Sequence, residues 1–365
     1  MEYANWLSRL LLHQGFSRQF AFPIVDNAAT AQAIGLLRHV LPRQHPVPIR
    51  KPIFLLCLPR TGSTWLQELL CAHPDVGYFT HLMHHFPNAI QEACTLARLL
   101  GLEARGERFI RDSVVQGLGS PSEGLALWGE WLGLDPACLQ YEALTVADLE
   151  PGTVRDMRQT MGIALAQFPG RSRFFCKNPA LIPYAPVLAE LFPDAAFIHL
   201  VRDPRLTANS MQKLLVRCDE QLTALKAGRA RLTMRLDRFI PYPRLPRLVE
   251  YMDRFGPDDL RTTARLWRDA AAFLDEQASR LPRLLTVRFE DVLADPAGTV
   301  QTILDFCELP GFAPGHAAFR ELCARTGRVA HINRYQGYAM ITDVCRDAMV
   351  RLGYDPTAPP PGTNV

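Results

Sequence analysis

Ile53 to Ala72 reads IFLLCL-PRTG-STWLQELLCA, and three kinds of segment follow one another there. Ile53–Leu58 is a continuous apolar run of strand length, the pattern of a strand buried on both faces. Pro59–Gly62 is a turn. Ser63–Ala72 then carries helical periodicity until His73-Pro74 stops it. Outward from this unit, Arg173–Cys176 (RFFC) and Ala195–Val201 (AAFIHLV) read as two more buried strands, with Leu181–Phe192 as the crossover helix between them. Leu284–Phe289 (LLTVRF) is a further strand, and Pro296–Cys307 a helix. Strands alternating with helices predict an α/β fold with a doubly wound, mainly parallel sheet flanked by helices. Helical insertions are expected over residues 81–170, with breaks at Gly117–Pro121 and Asp148–Gly152, and from about Leu206 to Arg280. Residues 1–48 read as an N-terminal helical extension with Trp6, Leu7, Leu10 and Leu11 on one stripe. Residues 49–350 form the main domain, and 351–365 a disordered, Pro-rich tail.

Composition narrows the function classes. A net charge of +3 is too small to imply a nucleic-acid partner by itself. The nine cysteines are odd in number and show no CxxC pair, which argues against a disulfide framework or a zinc ribbon and for a reducing compartment. Cys57, Cys71, Cys176 and Cys307 read as small core residues. The opening MEYANWLSRLLLHQGF lacks a signal-peptide layout, and no window reaches the roughly 18 apolar residues of a spanning helix. The expectation is a soluble, cytoplasmic protein.

In a doubly wound sheet, ligands bind beyond the carboxyl ends of the strands, so the residues after each strand matter most. In LPRTGSTWL, a helix N-terminus offers unpaired N–H groups and a positive dipole end to an anion. Gly62 permits close backbone approach, Ser63 and Thr64 add hydroxyls, and Arg60 adds a fixed charge. The loop and first turn, Arg60, Thr61, Gly62, Ser63, Thr64 and Trp65, are therefore one candidate anion site. An ATP-type P-loop requires a lysine directly after the last glycine; Ser63 stands there instead. The plainer alternative is an ordinary strand–helix turn capped by a hydroxyl. After AAFIHLV comes RDPRLTANS, where Arg202 and Ser210 can hold a second phosphate and Asp203 can cap the helix. Alone, that segment reads rather as a capped helix with a surface ion pair; two anion sites after two buried strands shift the balance.

Together, PRTGST and RDPRLTANS resemble the sulfotransferase superfamily. Its members hold a 5′-phosphosulfate with a P-[KR]-x-G-[ST]-[ST] loop, and a 3′-phosphate with an arginine and a serine eight residues later. KNPALIPYAPVLAELFPDAAFIHLVRDPR and VRFEDVLADPAGTVQTILDFCELPG are similar to two further family segments, so the resemblance spans roughly residues 49–312. It implies a P-loop-like fold and 3′-phosphoadenosine 5′-phosphosulfate (PAPS) as co-substrate, with no metal. It also implies sulfuryl transfer by in-line displacement to an acceptor hydroxyl.

The resemblance assigns Arg60 as a charge clamp on the bridging oxygen and Lys177 as a contact to the sulfonate. Many cytosolic relatives carry their base in a K-T-H segment; here it reads Lys177-Asn178-Pro179, without histidine. PRTGSTWLQELLCAHPDVGYFTH resembles the tyrosylprotein branch instead, and aligning H-P-D-V puts His81 where that branch has a glutamate base. An imidazole suits proton abstraction near neutral pH. His84, His85 and Glu123 are candidate acceptor contacts or alternate bases, and RTGRVAHINRY resembles a loop closing over the donor, with Arg328 as its binding residue. A His81/His85 metal pair lacks a third ligand, so no metal is expected. Phe79, Phe86, Trp128 and Trp131 suggest a small or lipid-like alcohol as acceptor, or else core, the reading preferred for the tryptophans. Two other readings stay open: a kinase-like phosphotransferase, and a nucleotide-binding protein without catalysis.

Overall fold

The run Ile53–Cys57 forms β1, the centre of a five-stranded sheet in the computed structural model, which describes residues 2–19, 28–108, 114–135, 137–228, 237–281, 283–326 and 335–361. The other strands are β2 (Val76–Tyr78), β3 (Arg173–Lys177), β4 (Ala196–Val201) and β5 (Leu284–Arg288). Their order is β2-β3-β1-β4-β5, and every neighbouring pair is parallel. The chain winds outward from β1 to one edge, returns through β3, and continues on the other side with β4. The switch point thus lies at β1, and its carboxyl end opens into the crevice where such sheets take ligands.

Side chains of β1 alternate between two cores, as the strand period of two requires. Ile53, Leu55 and Cys57 pack with Leu66, Leu69 and Leu70 of the helix Ser63–Cys71 and with Ile303 and Leu304 of the helix Pro296–Phe306. Phe54 and Leu56 face the opposite core, where the rings of Phe54 and Phe197 stack at 5.5 Å. That face is covered by the helices Pro204–Ala227, Leu260–Glu276 and Tyr338–Arg351. Truncating a fully buried ring such as Phe54 costs about 3–5 kcal/mol, so the platform under the switch point is rigid. Cys57, Cys71, Cys176 and Cys307 are buried free thiols, as expected.

Several expectations are corrected. Residues 81–170, expected to be mostly helical, also contain a hairpin: Ala104–Glu107 and Val115–Gly117 pair antiparallel, and Glu2–Tyr3 adds a third strand to it. Residues 1–48 are therefore not a purely helical extension, because their first strand belongs to a sheet with the insertion. In the helix Trp6–Gln19 the expected stripe is split: Leu12 is buried and Leu7 packs against the core, while Trp6 is 72% and Leu10 67% exposed. The expected crossover helix Leu181–Phe192 is divided into a 3-10 segment, Pro179–Tyr184, and an α-helix, Ala185–Leu191. The Pro-rich end is held at least to Ala358, whose carbonyl accepts from Arg205 Nη1 at 2.6 Å; residues 362–365 lie outside the described residues. Buried Tyr354 is the anchor that composition alone conceals. Among the described residues no helix is long and apolar enough to cross a membrane.

Candidate functional site

The turn after β1 reverses direction through two left-handed residues, Arg60 (φ 73°) and Gly62 (φ 87°). Glycine is required at the second position twice over. L side chains disfavour that φ, and a Cβ on Gly62 would stand 2.3 Å from the ring of Phe289. Thr61 closes the turn by donating its hydroxyl to Leu58 O at 3.0 Å, so this buried side chain shapes the loop. Gly62 caps the helix Ser63–Cys71 without a side-chain bond, leaving the first N–H groups of the helix to another partner. Trp65 donates its indole N–H to Leu322 O at 2.9 Å, which ties the first helical turn to the helix Ala317–Thr326.

The end of β4 brings the second basic segment to the same place. Arg60 Nε donates to Ser210 Oγ at 3.1 Å, and Arg202 Nη1 donates to Arg60 O at 3.4 Å. Arg202 is fixed through its carbonyl, which accepts from Trp267 Nε1 at 2.9 Å and Thr207 Oγ1 at 3.3 Å, and its guanidinium lies 5.5 Å from the Phe289 ring centre. Asp203 caps the helix Pro204–Ala227 and forms a buried ion pair with Arg205 at 2.6 Å. Glu290, in the short helix Phe289–Ala294 that follows β5, accepts from Asp203 N at 3.0 Å and from the Tyr354 hydroxyl at 2.8 Å; burial pushes its carboxyl up from the usual range. Two arginines, a serine hydroxyl and a helix N-terminus therefore converge at the switch point, a donor set suited to phosphate or sulfate oxygens.

A third group stands at the end of β3. Lys177 is buried and ion-paired with the carboxylate of Glu123, which is 40% exposed; Asn178 Nδ2 holds the Glu123 carbonyl at 3.2 Å. The segment 117–124 is clasped to the end of β2 by His81 N to Ser120 O (3.1 Å) and Ser122 N to Phe79 O (2.7 Å). The short helix His81–His85, capped by Thr80, then places three imidazoles beside it, all buried. Burial, with the neighbouring His84 and Arg108 charges, takes His81 down to about 3, although a hydrogen bond to the Gln116 side chain opposes the shift. Burial takes His84 down to about 4 against the pull of Glu123, and it also lowers His85. Both ring nitrogens of His84 are buried without a hydrogen-bond partner among the described residues.

The profile described as the sulfotransferase family matches residues 52–238 and 245–314, more than half of the chain. The chain belongs to the sulfotransferase family. The structure is similar to sulfotransferase STF9 from Mycobacterium avium at 15% identity with a TM-score of 0.54, covering 95% of this chain and 90% of that one; the likeness establishes the fold. Sulfotransferase STF1 from Mycobacterium tuberculosis H37Rv aligns at 14% identity and 0.44 over 93% of this chain and 92% of that one. Mouse sulfotransferase SULT7A1, complexed with PAP, aligns at 11% and 0.34 over 83% and 70% respectively. No curated protein matches the sequence.

In this sulfotransferase the sequence-predicted residues fall into three positions. Arg60, Gly62, Ser63, Thr64, Arg202 and Ser210 come together at the switch point. Lys177 and Glu123 pair next to it, with His81, His84 and His85 behind them. Arg328 lies outside the described residues. Phe79, Phe86, Trp128 and Trp131 are core: Trp128 donates to Cys176 Sγ at 3.2 Å and Trp131 to Asp156 Oδ2 at 2.9 Å. They give no support to an apolar acceptor. A groove of about 1070 Å³ between the small sheet and the helix Ile90–Leu100 is lined by Thr80, Met83, Arg105 and Phe168 among others, and by none of the site cations named above. Sequence reading missed Phe289, whose ring lies against both Gly62 and the Arg202 guanidinium, and Arg108, whose Nη1 donates to Thr64 Oγ1 at 3.2 Å. Phe289 was visible as the aromatic of VRFED; Arg108 had no signal, because a hairpin absent from the predicted elements brings it in. Among the described residues no group of three or more His, Cys, Asp or Glu side chains is placed to hold a metal ion.

Proposed function

We propose that this sulfotransferase uses PAPS as donor and transfers its sulfuryl group to the hydroxyl of a small organic acceptor. The observation that carries the reading is the 3.1 Å contact from Arg60 to Ser210, because it joins the 5′-type loop to the 3′-type site in one cleft. The donor set fits: two guanidiniums, a hydroxyl, and a helix N-terminus beside a glycine that admits no side chain. PAPS supplies an activated sulfuryl group on a 5′-phosphate leaving group. Arg202 and Ser210 bind the 3′-phosphate. Arg60 neutralises the oxygen that stays with the 5′-phosphate as its bond to sulfur breaks, acting as a fixed charge because it gives up no proton near neutral pH. Lys177 exchanges Glu123 for the sulfonate. The freed Glu123 carboxylate takes the acceptor's hydroxyl proton while that oxygen forms the new bond to sulfur, so one proton and one sulfuryl group change hands.

Glu123 is favoured as base because its carboxylate is partly exposed and directly on Lys177. A second reading gives the proton to His81, which the resemblance aligns with a glutamate base and whose helix lies beside the Glu123 segment, although burial and the Arg108 charge weaken its imidazole as a base. Replacing the true base by glutamine lowers turnover about 10²–10⁴-fold with PAP affinity kept, so Glu123→Gln and His81→Gln compared side by side decide between them. The donor reading is tested by thermal shift with PAP against magnesium-ATP, followed by labelled-sulfate transfer from PAPS to a panel of alcohols and phenols. Stabilisation by PAP alone supports it; stabilisation and turnover of magnesium-ATP without PAP binding overturns it in favour of a phosphotransferase.

A further inference from the structure

The segment that follows the helix Tyr338–Arg351 backs the second anion site. Leu352-Gly353-Tyr354 ends that helix in a Schellman turn. Gly353 takes a left-handed backbone (φ 76°) and its N–H donates to Val350 O at 3.0 Å, while Tyr354 N donates to Met349 O at 2.8 Å. The turn delivers the Tyr354 side chain into the interior, where it meets the groups that hold Arg202. The ladder between β4 and β5 ends at Val201–Arg288, so the next peptide, joining Arg202 to Asp203, is fixed by side chains. Its carbonyl accepts from Trp267 Nε1 at 2.9 Å and Thr207 Oγ1 at 3.3 Å, and its N–H donates to Glu290 Oε1 at 3.0 Å. Tyr354 touches both sides of this clamp. Its hydroxyl donates to the other carboxylate oxygen, Glu290 Oε2, at 2.8 Å, and its ring meets the Trp267 ring edge-on at 6.3 Å between centroids. Further along, Ala358 O accepts from Arg205, the ion-pair partner of Asp203. A buried carboxylate with one oxygen on the peptide and the other on a phenol cannot swing without losing a hydrogen bond that burial makes costly to leave unmade.

We infer that Tyr354 is a positioning residue for the 3′-phosphate. Acting through Glu290 and Trp267, it holds the Arg202–Asp203 peptide so that the Arg202 guanidinium and the Ser210 hydroxyl meet that group in place. The inference rests on the donor reading above and adds a claim about specificity: a nucleotide with a 3′-phosphate gains from the brace, and one without it does not. Geometry set in advance raises affinity because less ordering is left for binding to impose. The 5′-type loop has supports of its own, in the Thr61 hydroxyl on Leu58 O and the Trp65 indole on Leu322 O, so loss of the brace is felt at the 3′ end.

The test is calorimetric titration of the full chain with PAP (adenosine 3′,5′-bisphosphate) and with adenosine 5′-monophosphate, which differs from it only in lacking the 3′-phosphate. Wild type, Tyr354→Phe and Trp267→Phe are compared at a temperature where thermal unfolding shows each to be folded. Tyr354→Phe should lower PAP affinity about 10-fold, the scale of one lost hydrogen bond to a charged group, and leave the affinity for the monophosphate unchanged. Trp267→Phe keeps a ring beside Tyr354 and loses the N–H on Arg202 O, so it should shift the ratio of the two affinities the same way; it carries the comparison if Tyr354→Phe fails to fold. Equal losses for the two nucleotides would make Tyr354 a support of the fold at large and overturn the inference, as would an unchanged ratio in either folded variant. A wild type that binds PAP no more tightly than the monophosphate refutes the donor reading itself, and so separates the two failures.

Discussion

Arg205→Met places the second anion site under a direct energetic test. Arg205 wraps the Asp203 carboxylate with Nε at 3.0 Å and Nη2 at 2.6 Å, and its Nη1 reaches Ala358 O at 2.6 Å. Both side chains of the pair are nearly inaccessible, at 5% and 1%. Methionine fills much of the volume but leaves a buried carboxylate whose remaining partner is the N–H of residue 205. Breaking a buried pair from one side costs about 3–5 kcal/mol, because the surviving charge stays desolvated. The orphaned Ala358 carbonyl adds about 1 kcal/mol. The double variant Asp203→Asn/Arg205→Met should recover most of that loss, since asparagine is neutral and caps a helix as well as aspartate. Urea unfolding at neutral pH measures both, with an unchanged m-value as the check that the denatured state is the same. A single-variant loss under about 1 kcal/mol, or a double variant no better than the single, would show that the pair is not buried as described. The test bears on function because Asp203 lies between Arg202 and the helix that carries Ser210. PAP affinity should fall in the single variant and return in the double.

Gly62→Ala should destabilise the fold by about 1–2 kcal/mol through its left-handed backbone alone, and more as Phe289 is displaced; PAP affinity should drop with it, as thermal shift would detect. Tyr354→Phe strips buried Glu290 of a hydroxyl donor at a cost of about 1.5–3 kcal/mol near pH 7. Burial already raises the Glu290 carboxyl, so the native state binds the proton more readily than the unfolded chain, and the deficit should shrink as pH falls and Glu290 protonates. Urea midpoints at pH 7 and pH 5 give the comparison, and a deficit that grows on acidification would contradict it. His81 (about 3), His84 and His199 (both about 4) are held neutral by burial, so below the unfolded value near 6.5 the unfolded chain takes up protons that the native state refuses. Stability should fall on acidification below that point by up to about 1.4 kcal/mol per pH unit for each histidine; a flat profile from pH 7 to 5 would refute their burial as neutral groups.

Four of the five sheet strands were legible because β1, β3, β4 and β5 are apolar runs of strand length. β2 was not: Val76–Tyr78 is three residues long and directly follows a turn, too short for any period to register. The strands ARGE and VQG escaped notice for a different reason. Both are polar or glycine-bearing and half exposed, so they lack the alternation that marks a strand, and their pairing is set by tertiary contact. In the candidate site, the residues of the two loop motifs were readable because their chemistry and their place after a strand coincide. Lys177 was readable, but its partner Glu123 comes from a distant segment that only the fold brings near. The aromatic residues of the insertions read as either pocket or core, since both uses require the same side chains.

The ring of Phe289 acts as a shared wall. It stands against Gly62 on one side and beneath the Arg202 guanidinium on the other, itself anchored at the end of β5. One side chain therefore backs both basic segments before any ligand arrives, and little binding energy is diverted into shaping that wall. Shortening it to leucine would loosen both segments at once, with nucleotide affinity as the property most exposed to the change.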